Sequence, residues 1–450
     1  MKYFRKKVTT VISLLVLGVI APLQVSAQND SVTINLEKAL EIALCDNPDI
    51  KVADRTIKIQ DYAKKGSIMG LFPTLSVTAA EVKNLLVATM SMSMGDQVIN
   101  VKMGRPYNTS LTATTALPLV APQLWKTISL NEEQIDLAKE QARESKVNTI
   151  AAVKKAYYDM LLARDSYDVF LATYAVSEQN ARNTRAMYDQ GMVSEFDKLT
   201  AEVQLSNLKP QLITVQNGLK LAEMQLKILM GLDIAEPLKF EGKLSDDEQD
   251  LFNDLMLLKS DTSLADNSTL RQLDSQRRQL VLAEKINKLG YIPTLALQLT
   301  GGYSAMPDEF NPFKAPYFGS SALTLAFSWN IWDGGGRLTK TRQSKLQLEN
   351  LDIQREHIQR QLELAITNSL NGIERAAEQV VATKESVNNA NKALIISQKR
   401  YEVGSGTMIE MNNSESQLLS ARLQYVQSVY DFLNNRTELE KTLGKVVMGK

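Results

Sequence analysis

Two seven-residue stretches decide how this chain folds: Tyr188-Asp-Gln-Gly-Met-Val-Ser194 and Tyr401-Glu-Val-Gly-Ser-Gly-Thr407. They lie 213 positions apart, and the same spacing relates two further pairs of residues: Glu202 and Glu415, and Gly231 and Gly444. Matching blocks in one register indicate an internal duplication. In each stretch a glycine separates two long segments with few helix breakers, so Gly191 and Gly404 predict turns between helices.

The segments around these turns predict four long helices. Neither glycine nor proline interrupts residues 123–190, and only Gly372 interrupts residues 337–403. Apolar residues recur at the seven-residue spacing of coiled coils, as at Ile366, Ile373 and Val380. At about 1.5 Å per residue, the longer helices would each extend roughly 100 Å. We expect helices at about 123–190, 194–231, 335–402 and 407–444.

A second match extends the duplication towards the N-terminus. Phe72-Pro-Thr-Leu75 corresponds to Ile292-Pro-Thr-Leu295, 220 positions later. The larger offset gives the first repeat seven extra residues, which we expect in a longer loop. The predicted organisation is a first repeat at 28–232, a linker at 233–265 and a second repeat at 266–450.

Each repeat also contains a predicted pair of amphipathic strands, at about 74–119 and about 293–332. Leu323, Leu325 and Phe327 alternate with polar or small residues, which is typical of a transmembrane barrel strand. The smallest such barrels have about eight strands, so four strands cannot close one. Three chains would supply twelve, and the strands therefore predict an oligomer.

Residues 1–27 have the pattern of a signal peptide. A basic start and an apolar run precede Val25-Ser-Ala27, a small-residue cleavage site, so the mature chain is expected to begin at Gln28. No cysteine follows the predicted cleavage site directly, and we expect no lipid anchor.

The composition argues against several classes of function. The chain has 51 basic and 51 acidic residues, which gives no indication of a nucleic-acid partner. Its single cysteine, Cys45, and single histidine, His357, cannot form a zinc site or a Cys/His nucleophile pair in one chain. We therefore expect no enzyme activity and no cofactor. The apolar neighbours of Cys45 predict a buried thiol.

A methionine-rich segment offers one candidate metal site. Thioethers bind soft ions such as Cu(I), and four methionines are close in sequence: Met90, Met92, Met94 and Met103. Alternating methionines also form an ordinary apolar strand face or outer loop, and this second interpretation is favoured.

The motifs together resemble the TolC-like outer membrane factor family over essentially the whole mature chain. The family has a Tyr-x-x-Gly-x-x-Ser/Thr turn in each repeat, a Phe-Pro-x-Leu stretch, here Phe72 to Leu75, and a Trp/Phe-Asp-Gly-Gly stretch, here Trp332 to Gly335. The first repeat departs from the last motif, with Val-Ala-Pro-Gln at 120–123.

This resemblance implies a homotrimer in the outer membrane. Its fold would be mainly α with transmembrane β: a 12-stranded β-barrel in outer-membrane lipid, continued by an α-helical barrel in the periplasm. A periplasmic adaptor protein and an inner-membrane transporter of the RND, ABC or MFS type would deliver substrates to it. The implied function is an exit duct for efflux or type I secretion.

The resemblance places the two turns at the periplasmic tip, where an adaptor would contact Gly191, Ser194, Gly404 and Thr407. Ser194 and Thr407 also precede helices and have Asp197 and Glu410 three residues later. Both pairs have the form of a capping box.

The family's gate maps onto four residues of this chain: Asp197, Tyr401, Glu410 and Asn413. In the family an acidic residue bonds a tyrosine and an arginine, but Gly406 occupies the arginine position here. Asn413 stands at the position of a constricting aspartate, which leaves Glu410 as the nearer carboxylate. We therefore expect a cation-favouring entrance that is closed by different contacts.

Two other classes of function compete with an exit duct. An exported coiled-coil scaffold or adhesin without a pore would explain the helices, but it has no need of four symmetrically placed amphipathic strands. An enzyme would need clustered histidine, cysteine or paired carboxylates, and the sequence lacks such a pattern.

Overall fold

The computed structural model describes residues 33–94, 97–247, 262–313 and 315–445. The predicted signal peptide, 1–27, lies outside the described residues, as does part of the predicted linker at 233–265.

The two halves of the chain repeat one order of elements: a helix, strands and a long helical hairpin. The first half contains β1 (Thr33–Ile34), α1 (Leu36–Asp46), α2 (Pro48–Met69), β2 (Thr74–Lys83), β3 (Thr89–Met94), β4 (Gln97–Lys102), β5 (Tyr107–Val120), α3 (Pro122–Asp189) and α4 (Glu195–Met230). After β6 (Lys239–Phe240), the second half contains α5 (Ser268–Leu289), β7 (Thr294–Ala305), β8 (Phe318–Ser328), α6 (Gly336–Glu402) and α7 (Met408–Leu443).

The four longest strands form one antiparallel sheet in the order β2-β5-β7-β8. Thr74 pairs with Ala116 in the first half, and Thr294 pairs with Ser328 in the second. The halves are joined where β5 pairs with β7, with Ala116 opposite Gln298. Within the described chain, β2 and β8 each keep one edge without a strand partner.

One face of this sheet is apolar and uncovered. Four of its side chains are between 62% and 72% exposed: Leu75, Val77, Leu325 and Phe327. Isolated apolar residues are normal on a protein surface, but a continuous apolar face marks an interaction with apolar surroundings.

A separate short hairpin, formed by β3 and β4, lies within the predicted strand pair of the first repeat. Its pairing places Met90 opposite Val101 and Met92 opposite Ile99. In the second repeat, β8 ends at Ser328, short of the predicted limit near 332. The indole N–H of Trp329 then donates to the Tyr291 carbonyl oxygen at 3.0 Å.

The main hydrophobic core lies where α1 meets the two helical hairpins. Fully buried side chains come from all four long helices, among them Met160, Leu226, Ile373 and Phe432. A buried ion pair between Lys154 and Glu440, 2.7 Å apart, also joins α3 to α7.

A buried asparagine repeats between the halves. The Asn47 side-chain N–H donates to the Leu229 carbonyl oxygen at 2.8 Å, and its oxygen caps the start of α2. Asn267 does the same for α5 and donates to the Thr442 carbonyl oxygen at 2.7 Å. Each asparagine therefore ties the end of a hairpin to the start of a shorter helix.

The prediction of a buried thiol at Cys45 is wrong, because the residue is exposed. Helix α1 buries Ala39, Leu40 and Ala43. Cys45 follows Ala43 by two residues, a rotation of about 200°, and so lies on the opposite side of the helix.

No helix in the described part of the chain is both long and apolar enough to cross a membrane.

Candidate functional site at the hairpin turns

Both predicted turns form at their glycines. Gly191 has φ = 73° and Gly404 has φ = 72°, in the left-handed region that side chains disfavour. The Gly191 N–H donates to the Tyr188 carbonyl oxygen at 2.8 Å, and the Gly404 N–H donates to that of Tyr401 at 3.0 Å. The repeated sequence therefore makes a repeated turn.

The two turns are capped differently. Ser194 and Asp197 complete a capping box: the Ser194 hydroxyl accepts from the Asp197 N–H at 3.2 Å, and the Asp197 carboxylate accepts from the Ser194 N–H at 3.3 Å. Thr407 accepts from the Glu410 N–H at 3.2 Å, but the reciprocal bond is not formed. The predicted box at Thr407 is thus only half present.

Glu410 is instead directed towards Arg400. Their charged atoms lie 3.7 Å apart, and the Arg400 guanidinium also donates to the Ser405 carbonyl oxygen at 3.2 Å. The Arg400 carbonyl oxygen accepts from the N–H groups of Ser405 and Gly406. A Cβ at Gly406 would lie 3.0 Å from that of Arg400, so this tight turn favours glycine at the family's arginine position.

Tyr401 and Asp197 are neighbours, but no hydrogen bond joins them. The Tyr401 hydroxyl is buried beside Thr184 and has no partner of regular geometry among the described residues. Burial raises the pKa of Tyr401, and the negative charge of Asp197 raises it further, while Thr184 acts in the opposite direction. The Asp197 carboxylate accepts from the Ser194 hydroxyl at 2.6 Å within its own turn.

Asn413 lies three residues after Glu410 on α7, one helical turn away. It is exposed and lines an open groove of about 670 Å³ between α6 and α7, together with Ser416 and Gln417. The structure therefore brings Asp197 near Tyr401 and Glu410 near Arg400, with Asn413 one helical turn beyond Glu410.

Contacts that sequence reasoning missed join the two hairpins just above the turns. Met408 and Met411 of α7 pack against Ala181 of α3 and Ala201 of α4, with Tyr401 at the edge. One turn further along α7, the buried Glu415 carboxylate accepts a hydrogen bond from the Ser177 hydroxyl. One sequence feature could have indicated these contacts: Glu415 places a carboxylate at a core position of the heptad pattern that Met408, Met411 and Leu418 otherwise fill with apolar side chains.

The predicted methionine site falls on the β3–β4 hairpin. Met90 and Met92 share one strand face and are 49% and 56% exposed. Met103 follows β4 and is 56% exposed, while the side chain of Met94 lies outside the described part of the chain. Strand alternation accounts for this apolar face, and the metal site stays a prediction.

Comparison with known proteins gives a match to one family. A family model described as outer membrane efflux protein matches residues 39–232 and 260–445, which include both helical hairpins.

Individual relatives are distant but cover much of the chain. Outer membrane protein TolC of Salmonella enteritidis is 23% identical over 328 residues, which cover 71% of this chain and 66% of TolC. The matched region thus spans about two thirds of that relative. Alkaline protease secretion protein AprF of Pseudomonas aeruginosa is 22% identical over 418 residues, covering 90% of this chain and 83% of AprF.

A solved structure has the same fold. The outer membrane channel CmeC of Campylobacter jejuni superimposes with a TM-score of 0.70 at 13% identity, covering 91% of this chain and 85% of CmeC.

Proposed function

We propose a transport function from one premise: the chain belongs to the outer membrane efflux protein family. The protein is an outer-membrane exit duct for efflux or secretion, and its long helices lie in the periplasm. Substrates pass through it passively, so the chain needs neither catalysis nor a cofactor of its own.

The observation that carries this proposal is a sheet that is incomplete in one chain. In the part of the chain that the structure describes, the strands β2 and β8 each keep one edge without a strand partner, and one sheet face is apolar and exposed. Three copies would supply twelve strands and could close them into a barrel whose apolar face contacts lipid. The helical hairpins would extend the same channel, since 68 residues of α3 span about 100 Å.

The partners follow from the place of the duct in an export system. A periplasmic adaptor would contact the tip at Gly191, Ser194, Gly404 and Thr407, and an inner-membrane transporter of the RND, ABC or MFS type would supply energy. The matching family model is described as efflux and the relative AprF as a secretion protein, so efflux and secretion are both consistent with the fold.

The lower entrance would be lined by Asp197, Tyr401, Glu410 and Asn413. Three copies of Glu410 would favour cations over anions at this constriction, although the Arg400 guanidinium 3.7 Å from each carboxylate offsets part of that charge. Replacing Asp197 with Ala or Tyr401 with Phe should change single-channel conductance. Unchanged conductance in both variants would contradict the gating role.

The shape of the purified protein tests the duct directly. Negative-stain images in detergent should show a hollow trimer with a long tapering extension, and planar lipid bilayers should record channel conductance. A monomer or a solid rod without conductance would favour the scaffold alternative instead.

A further inference from the structure

Near the turns, the two hairpins of one chain meet at an apolar contact. Met408 and Met411 are 1% and 3% exposed, although they lie within four residues of the exposed turn residue Thr407. They occupy space left by two small side chains, Ala181 and Ala201, which are 7% and 3% exposed. The end of the second hairpin is therefore buried against the first through side chains that water does not reach.

A buried hydrogen bond lies directly above this contact. Glu415 and Ser177 are each 3% exposed, and the Ser177 hydroxyl donates to the Glu415 carboxylate. A carboxylate is seldom buried without a charged partner, and removing its hydrogen-bond donor would leave it unsatisfied. This bond therefore fixes the register in which α7 lies against α3.

Comparison of the two repeats shows that only the second hairpin carries the apolar residues of this contact. The positions 213 residues before Met408 and Met411 are Glu195 and Lys198. Lys198 does not enter a neighbouring hairpin, because its ammonium lies over the Tyr188 ring at 4.9 Å. The methionines thus belong to the second hairpin only.

The charged groups at the turns act within single hairpins. Arg400 pairs with Glu410 inside the second hairpin, and Asp197 is bonded to Ser194 inside the first. Among the described residues near the turns, no ion pair joins one hairpin to the other.

We propose that Met408 and Met411 form a latch that holds the second hairpin against Ala181 and Ala201 of the first. The Ser177–Glu415 hydrogen bond is the second point of this latch. Release of both contacts lets the second hairpin move away and widens the lower end of the duct. The inference rests on the proposed function, because a latch matters only if the chain conducts.

Single-channel recording of the full-length assembly in planar bilayers tests the latch. The double variant Met408→Ala/Met411→Ala should raise the open probability at least about tenfold. Truncating a buried methionine to alanine destabilises the packed, closed state by more than the free energy that corresponds to a tenfold change in the closed-to-open equilibrium. Met408→Leu/Met411→Leu conserves side-chain volume and should stay close to wild type. Ile409→Ala is the matched control, since Ile409 lies between the two methionines but is 49% exposed.

A second variant tests the latch independently in case the alanine double variant does not assemble. Ala201→Leu fills the space that the methionines occupy and should also raise the open probability, through overpacking. The latch is overturned if both the alanine and the Ala201→Leu variants assemble normally and gate like wild type. If no variant conducts at all, including wild type, the proposed duct itself fails.

Discussion

At the scale of single residues, Glu415 should make the closed state depend on pH. Burial raises the pKa of its carboxyl above the ordinary value of 4.5, and the Ser177 hydrogen bond offsets only part of that rise. A raised carboxyl pKa means that the packed state favours the neutral form. The contact should therefore be strongest at acidic pH and should weaken as pH rises from about 4.5 through the raised pKa.

The variant Glu415→Gln separates the hydrogen bond from the charge. The glutamine side-chain oxygen can still accept a hydrogen bond from Ser177, but the amide does not titrate. The open probability of this variant should therefore not increase with pH. The duplicated position Glu202 is partly exposed, and Glu202→Gln should retain the wild-type pH profile. A wild-type profile in Glu415→Gln would show that another group carries the pH dependence.

Residue-level contacts were the part of the site that sequence could predict least. The spacing of Ser194 and Asp197 predicted a local capping box because both partners lie three residues apart. The contact of Met411 with Ala181 depends on how two hairpins pack, which no local pattern records. Glu410 shows the same limit, since Arg400 competes for the carboxylate that the capping pattern assigned to Thr407.

At the scale of elements, the hairpin ends depend on glycine. Gly231 and Gly444 have φ of 76° and 68°, and a Cβ would lie 2.5 Å from the Asp46 carbonyl oxygen or 2.3 Å from that of Asp266. Replacing either glycine with alanine should lower the free energy of unfolding by more than about 2 kcal/mol. The cost of the left-handed backbone conformation adds to that of the clash between the new Cβ and the carbonyl oxygen.

Gly218 provides the matched control within α4. It lies in the helix interior with open space where a Cβ would be, so Gly218→Ala should raise the free energy of unfolding by about 0.5–1 kcal/mol. Urea unfolding of the detergent-solubilised protein measures both changes. Equal stability of Gly231→Ala and Gly218→Ala would contradict the role of the hairpin ends.

Long helices were predictable because their signals are local and repeated many times. The absence of breakers at 123–190 and the heptad spacing anticipate α3 at Pro122–Asp189. The β3–β4 hairpin was not predicted as a separate element, because the short serine and methionine strand β3 also fits a loop. Cys45 was misassigned because apolar neighbours in sequence do not define a helix face.

At the scale of the whole molecule, the duplication predicts how copies would join. The β5–β7 pairing connects the two repeats within a chain, and β8 and β2 are the corresponding strands at the free edges. Ala116 pairs with Thr74 as Ser328 pairs with Thr294, so Ala116 and Ser328 are equivalent positions. Gln298 is equivalent to Thr78, 220 positions earlier, and the observed pairing of Ala116 with Gln298 therefore places Ser328 of one copy opposite Thr78 of the next. The same register sets Phe327 opposite Ala79 and so keeps the apolar faces together, which a one-residue slip would not.

This register can be tested with one pair of cysteines. Two rungs from Ser328, Ala326 would lie directly opposite Ala80 of the next copy, close enough for a disulfide. In a Cys45→Ser background, Ala80→Cys/Ala326→Cys should give covalent trimers on non-reducing gels. The pair Ala79→Cys/Ala326→Cys places the thiols on opposite faces and should not crosslink. A trimer in solution without the first crosslink would refute this register, whereas a monomer would count against closure of the sheet by three copies.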